Sequence, residues 1–161
     1  MNRTNRPELR SWTHMWFGAA VRQLERATWT GVGSAAPETF LYVDCMRNAY
    51  RGAERLLGSD HPEVVRFMDA VPHVKDLRDM LQHFEEYIDG KGRLQRSGAV
   101  DVEWPIYASG DINSNVRRVH VQGMVIELPG AHEALAQLVD AALEETGGSI
   151  RSVSNGRSDR P

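Results

Sequence analysis

The chain has 161 residues, 41% of them hydrophobic and 25% charged, with a net charge of −3. That size and apolar share suit one domain with a sizeable core and exclude a disordered composition. The charge balance argues against a broad nucleic-acid clamp and leaves room only for a local basic site.

Residues 1–6 are a polar lead, and Pro7 with Glu8 suits a helix start. From Glu8 to about Trp29 the apolar residues Leu9, Trp12, Trp16, Ala19, Ala20, Leu24 and Ala27 recur on one helical stripe. The run "TGVGSAAP" breaks it, and Pro37 opens a second helix to about Leu57. Its apolar stripe is Tyr42, Met46, Ala49, Ala53 and Leu56. Opposite lies a polar stripe of Asp44, Arg47, Asn48, Arg51 and Arg55. After Gly58, "SDHPEVV" begins a short third helix to about Ala70, with Ser59 or Asp60 as its cap.

The stretch "KDLRDMLQHFEEYIDG" predicts a fourth helix from Lys75 to about Asp89, stopped by Gly90. Val74, Leu77, Leu81, Phe84 and Ile88 form the expected core seam. Met80, His83 and Tyr87 form a second stripe, suited to a second contact surface. Asp79, four residues before His83, is placed to accept a hydrogen bond from the imidazole and fix its tautomer. Arg78 lies about 140° around the helix from His83, so one chain cannot aim both at the same point.

The period then changes. "AVDVEWPIYA" and "VRRVHVQGMVIEL" read as antiparallel strands, "SGDINSN" as a turn-rich connector, and Gly123 as a bulge or a turn into a third strand. "HEALAQLVDAALEET" is a final helix closed by Gly147 and Gly148. The expected architecture is a mainly α bundle of about four to five helices, with a small β ribbon at about 100–128 before the last helix. Residues 1–148 form one domain, and 149–161 read as a disordered tail.

Cys45 is the only cysteine, so no intramolecular disulfide forms. No signal-peptide core follows the first charges, and no apolar run reaches membrane-spanning length. A cytoplasmic protein with no membrane association is expected.

The run "RDMLQH", Arg78 to His83, resembles the Arg-x4-to-6-His signature of the HEPN superfamily, in which a polar residue such as Asp79 commonly follows the Arg. The similarity covers roughly residues 8–90. It implies a homodimeric, metal-independent endoribonuclease needing no cofactor, with RNA as substrate and a toxin or defence setting in which an antitoxin is a further partner. On this resemblance His83 transfers protons, Arg78 binds the phosphate and Asp79 orients His83. Asn48 and Arg51 are candidates to line the cleft. The tyrosine that one toxin branch carries two residues beyond its His is Glu85 here, so no tyrosine modification is carried over.

Two other readings stand beside this one. The first is a non-catalytic RNA- or protein-interaction module of the same fold. The second is a metal-dependent bundle using His14, His61 or His73, although "HExxH" is absent. Trp12, Met15 and Trp16 read as core rather than a ligand platform. "GVGS" follows a helix and lacks the context of a phosphate loop. Arg117 to His120 reads as a basic strand face, and Ser109, Asp111 and His120 lack a nucleophile elbow.

Overall fold

Two long helices lie against each other at the centre of the molecule. In the computed structural model, which describes residues 6–29, 36–99, 106–111, 116–121 and 124–147, α1 spans Arg6–Trp29 and α2 spans Ala36–Leu57. Thr13, early in α1, meets Gly52, late in α2, so the two run antiparallel. A Cβ on Gly52 would collide with the Thr13 hydroxyl. Thr13 donates that hydroxyl to the Leu9 carbonyl at 2.7 Å, which satisfies it where no water reaches.

This close approach sets which face of α1 is buried. Thr13, Phe17, Ala20 and Ala27 turn inward, while Trp12 is 44% exposed and packs its ring against Trp16, centroids 5.6 Å apart. Ala20 and Ala27 of the expected stripe are thus buried, Leu9, Trp16, Ala19 and Leu24 pack against the core in part, and Trp12 alone is turned out, with Thr13 buried beside it. Small side chains at the contact let the backbones draw together, and an indole there would hold them apart.

On α2 the expected stripe of Tyr42, Met46, Ala49, Ala53 and Leu56 is buried, as are Val43, Cys45 and Tyr50. Burial on more than one face makes α2 the central helix. It packs on α1, on α7 (Leu128–Glu144), on α3 (Pro62–Ala70) and on α4 (Val74–Gln82). His61 starts α3: its Nδ1 accepts from the Glu63 amide at 3.2 Å, and its Nε2 lies 2.8 Å from the Glu145 carboxylate at the end of α7. Arg10 donates to the Thr146 carbonyl at 2.8 Å, tying α1 to the same end of α7.

The fourth helix differs from expectation. It stops at Gln82; His83 has φ −115° and ψ 32°, and a separate short helix, α5, spans Phe84–Ile88. The buried residues are Val74, Leu77, Met80 and Tyr87, whereas Phe84 is 48% and Ile88 61% exposed. Two members of the expected seam thus face outward, and two residues assigned to the second stripe are core. A further short helix without a signature in the sequence, α6 (Arg93–Arg96), covers Tyr87.

The strands β1 (Ile106–Asp111), β2 (Val116–Val121) and β3 (Met124–Glu127) form an antiparallel sheet in chain order. Its register pairs Ile106 with Val121 and Arg118 with Glu127. On β3 Met124 and Ile126 are buried and Val125 and Glu127 exposed, the alternation of a half-covered strand. Arg118 grips the Glu127 carboxylate through Nε and a terminal nitrogen at 3.2 and 3.0 Å. The chain passes from β3 directly into α7, whose first turn holds Pro129, earlier than the expected start near His132. The described chain is thus mainly helical. Ser109, Gly110 and Asp111, expected in the connector, belong to β1; the rest of that connector, residues 100–105 of the expected first strand, the turn after α1, Gly123 and the tail at 149–161 lie outside the described residues.

His132 of α7 fills a gap between α1 and α2. Its ring stacks on Phe17, centroids 5.7 Å apart, and its Nδ1 shares a 3.2 Å hydrogen bond with the Tyr42 hydroxyl. Burial lowers the imidazole pKa below its ordinary value and raises that of the Tyr42 phenol. As pH falls, the unfolded chain takes up this proton before the folded one does. Stability from the site is complete above the ordinary histidine range, about pH 6.5, and declines as pH drops through it toward the folded pKa. Thermal denaturation across that range should show a falling midpoint in the wild type and a shallower fall in His132→Gln. Equal slopes would remove His132 as the cause.

Candidate functional site

The helix that carries the Arg-x4-His run presents two polar centres on opposite sides. The first faces α2. Arg78 donates through Nε to Asp44 Oδ1 at 3.2 Å, and Gln82, one turn later, donates to the same oxygen at 2.7 Å. Asn48, only 8% exposed, donates its amide to the Asp44 carbonyl at 3.0 Å and to the other carboxylate oxygen at 3.4 Å. The structure therefore gathers Arg78 and Asn48 around one carboxylate. Arg51 is exposed one turn beyond Arg47 on the same helix. Asp44 organises this centre, and it is not among the expected site residues. Its signal in the sequence is the helical spacing of Asp44 and Asn48, a turn apart on the polar stripe of α2.

The second centre faces α5 and α6. Asp79 accepts from the Tyr87 hydroxyl and from Arg93 Nε, each at 3.1 Å, and Arg93 also donates to Asp76 at 2.7 Å. The two carboxylates hold the Arg93 guanidinium pKa above its ordinary value. Tyr87 also accepts from the Leu94 amide at 3.3 Å, and its ring packs against Gly92, where a Cβ would strike it. The start of α6 is closed by Gln95, which accepts from the Gly92 amide at 3.0 Å and donates to the Tyr87 carbonyl at 3.0 Å. Burial raises the Tyr87 phenol pKa, and the Asp79 bond adds to the rise against the Leu94 amide, which lowers it.

The expected Asp79–His83 hydrogen bond is not formed. Asp79 touches His83 only through the backbone, its carbonyl accepting from the His83 amide at 3.0 Å. Because His83 leaves helical geometry, its side chain no longer lies over the preceding turn. Its Nδ1 lies instead 3.5 Å from the Glu86 carboxylate, both side chains about half exposed (50% and 51%). His83 opens onto a hollow of about 190 Å³ lined by Asp79, Glu86, Tyr87, Arg93 and Arg96. That is below the drug-sized range of about 300–1,000 Å³ and suits a group no larger than a phosphate or a sugar.

Arg78 and His83 of one chain therefore point into different surroundings, as the helical geometry implies. Glu86, three residues on, is a neighbour of His83 that helical spacing alone gives, whereas Arg93 and Arg96 are unforeseen, because nothing in "GKGRLQRSG" has the apolar period that marks a helix. Among the described residues no three metal-ligating side chains converge. No helix among them is long and apolar enough to cross a membrane.

Replacing Tyr87 by Phe leaves the buried Leu94 amide without its acceptor and the Asp79 carboxylate with Arg93 alone. The expected cost is about 1–3 kcal/mol. Urea denaturation should show a lower midpoint at an unchanged slope, and an unchanged midpoint would contradict the assignment. Comparison of the chain with protein-family models, with curated proteins and with solved structures gives no match in any of the three.

Proposed function

We propose that the protein is an HEPN-like, homodimeric, metal-independent endoribonuclease in which His83 transfers protons. The observation that carries this reading is the break between α4 and α5, which holds a half-exposed imidazole beside a carboxylate and two arginines at an open hollow. RNA cleavage without metal needs a base for the 2′-hydroxyl proton, an acid for the leaving 5′-oxygen and positive charge at the phosphate. The 2′-oxygen attacks the adjacent phosphorus, the bond to the 5′-oxygen breaks, and the products are a 2′,3′-cyclic phosphate and a 5′-hydroxyl end. Glu86, rather than Asp79, is the carboxylate that orients His83.

Arg78 spends its Nε on Asp44, which aims the guanidinium and leaves its two terminal nitrogens to grip phosphate. Since Arg78 and His83 of one chain diverge, the phosphate lies between Arg78 of one copy and His83 of the other. A cytoplasmic setting suits the lone, buried Cys45, and a toxin or defence role with an antitoxin partner belongs to the same reading. A non-catalytic RNA- or protein-interaction module is the second reading. It is favoured by the bonds that tie Arg78 to Asp44 and Asp79 to Tyr87 and Arg93, which hold helices together whether or not chemistry occurs.

Purified protein incubated with RNA in chelator should yield fragments ending in 2′,3′-cyclic phosphate. His83→Ala, an exposed position, should fold normally and lose about 10²-fold or more of the rate. Intact RNA with the wild type, or equal cleavage by His83→Ala, would overturn the enzymatic reading in favour of the binding module.

A further inference from the structure

We infer that the seam between α2 and α4 is a binding site for a phosphomonoester, held by Arg47, Arg51 and Lys75 with Arg78 at its edge. The site rests on charge and packing alone and stands whether or not His83 performs chemistry. On α2, Arg47 and Arg51 are four residues apart; on α4, Lys75 and Arg78 are three apart, so each pair shares one face of its helix. The two faces meet at Tyr50. The Arg47 guanidinium lies 5.0 Å and the Lys75 ammonium 5.4 Å from the centre of that ring. Tyr50 is itself fixed, its ring stacked on Phe67 and its hydroxyl donated to Glu54 at 2.6 Å.

Like charges on a half-buried seam repel one another and lose hydration, and a bound anion relieves both costs. The Arg47 pKa is lowered first by burial and then by Arg51, with Arg78 adding to the fall. One terminal nitrogen of Arg47 is shut off from water and has no hydrogen-bond partner among the described residues. Two carboxylates of α2 lie on this seam and both are engaged: Asp44 by Arg78 and Gln82, and Glu54 by the Tyr50 hydroxyl. Four cations against two carboxylates leave an excess of two positive charges. A phosphate monoester near neutral pH carries about −1.5 to −2, which matches that excess, whereas a diester within a nucleic-acid strand carries one charge. Arg51 and Lys75 are exposed, so the ligand has a way in from solvent, and the guanidinium forks suit tetrahedral oxyanions.

The same chemistry has two sources, a small phosphomonoester or the phosphorylated end of an RNA. Calorimetric titration of the full chain with inorganic phosphate, and with one short RNA bearing either a 5′-phosphate or a 5′-hydroxyl, separates them. The wild type should bind inorganic phosphate saturably. Lys75→Gln, at an exposed position, and Arg47→Gln should each raise Kd tenfold or more. A tenfold advantage of the 5′-phosphate RNA over its 5′-hydroxyl twin assigns an RNA end; equal binding of the two, with inorganic phosphate bound, assigns a small phosphomonoester. The proposal is overturned if neither inorganic phosphate nor the phosphorylated RNA saturates, or if folded Arg47→Gln and Lys75→Gln bind as the wild type does. Phosphate binding that survives in a cleavage-dead His83→Ala protein separates this site from the chemistry proposed above.

Discussion

The burial of Tyr87 is the constraint on which the motif region depends. Its side chain has no exposed surface, lies against Gly92 and has its hydroxyl held between the Asp79 carboxylate and the Leu94 amide. A continuous helix through His83 would place Phe84 one turn beyond Met80, on the core face, and Ile88 beyond it. The chain instead interrupts the helix and brings Tyr87 in under α6. A buried phenol must find partners for its hydroxyl, and α6 and Asp79 supply them. The consequences for the neighbouring side chains are mechanical. Asp79 is spent on Tyr87 and Arg93, His83 swings out beside Glu86, and Phe84 and Ile88 are left on the surface.

The same helix is anchored on its other side by polar rather than apolar contacts. Asp44 of α2 receives Arg78 and Gln82 from α4 and is itself held by Asn48. These side chains are only partly covered, so the ion pair adds modestly to stability and chiefly fixes orientation. Orientation is what a phosphate-gripping arginine needs, because a guanidinium held by Nε presents its two remaining nitrogens in a fixed plane. Arg47, Arg51 and Lys75 extend positive charge along the same seam. The central position of α2 thus joins the core to both basic centres: one face supplies Tyr42, Met46 and Ala49, and the adjacent one carries Asp44, Arg47 and Asn48.

Much of the architecture is legible in the residues. The long helices, the short third helix behind His61 and Pro62, the sheet segments and the last helix announce themselves by period and by Pro and Gly punctuation. The α2 stripe reads directly, because small and apolar residues recur there without conflict. The buried face of α1 departs from its apolar pattern at Trp12: apolar size points to that residue, but the close contact at Gly52 takes Thr13 instead. The break at His83 is hidden because no Gly or Pro marks it and the apolar spacing runs through it unbroken. Only the competition between Tyr87 and the pair Phe84 and Ile88 for the core reveals it, and that depends on α6, which has too few residues to show a period. For the site, the separation of Arg78 from His83 follows from helix geometry. The nearness of Glu86 follows from the same spacing; the arginines beside His83 do not, since they arrive with α6.

The central claim is that Arg78 and His83 act on one phosphate from two copies of the chain. Mixing purified Arg78→Ala with purified His83→Ala, after a cycle that exchanges subunits, tests this most directly. Each variant alone lacks one residue in both sites of its dimer. A mixed dimer rebuilds one site from the intact Arg78 of one copy and the intact His83 of the other. The account predicts that the mixture regains RNA cleavage that neither variant shows alone. A mixture as inactive as its components, beside an active wild type carried through the same exchange, would contradict it.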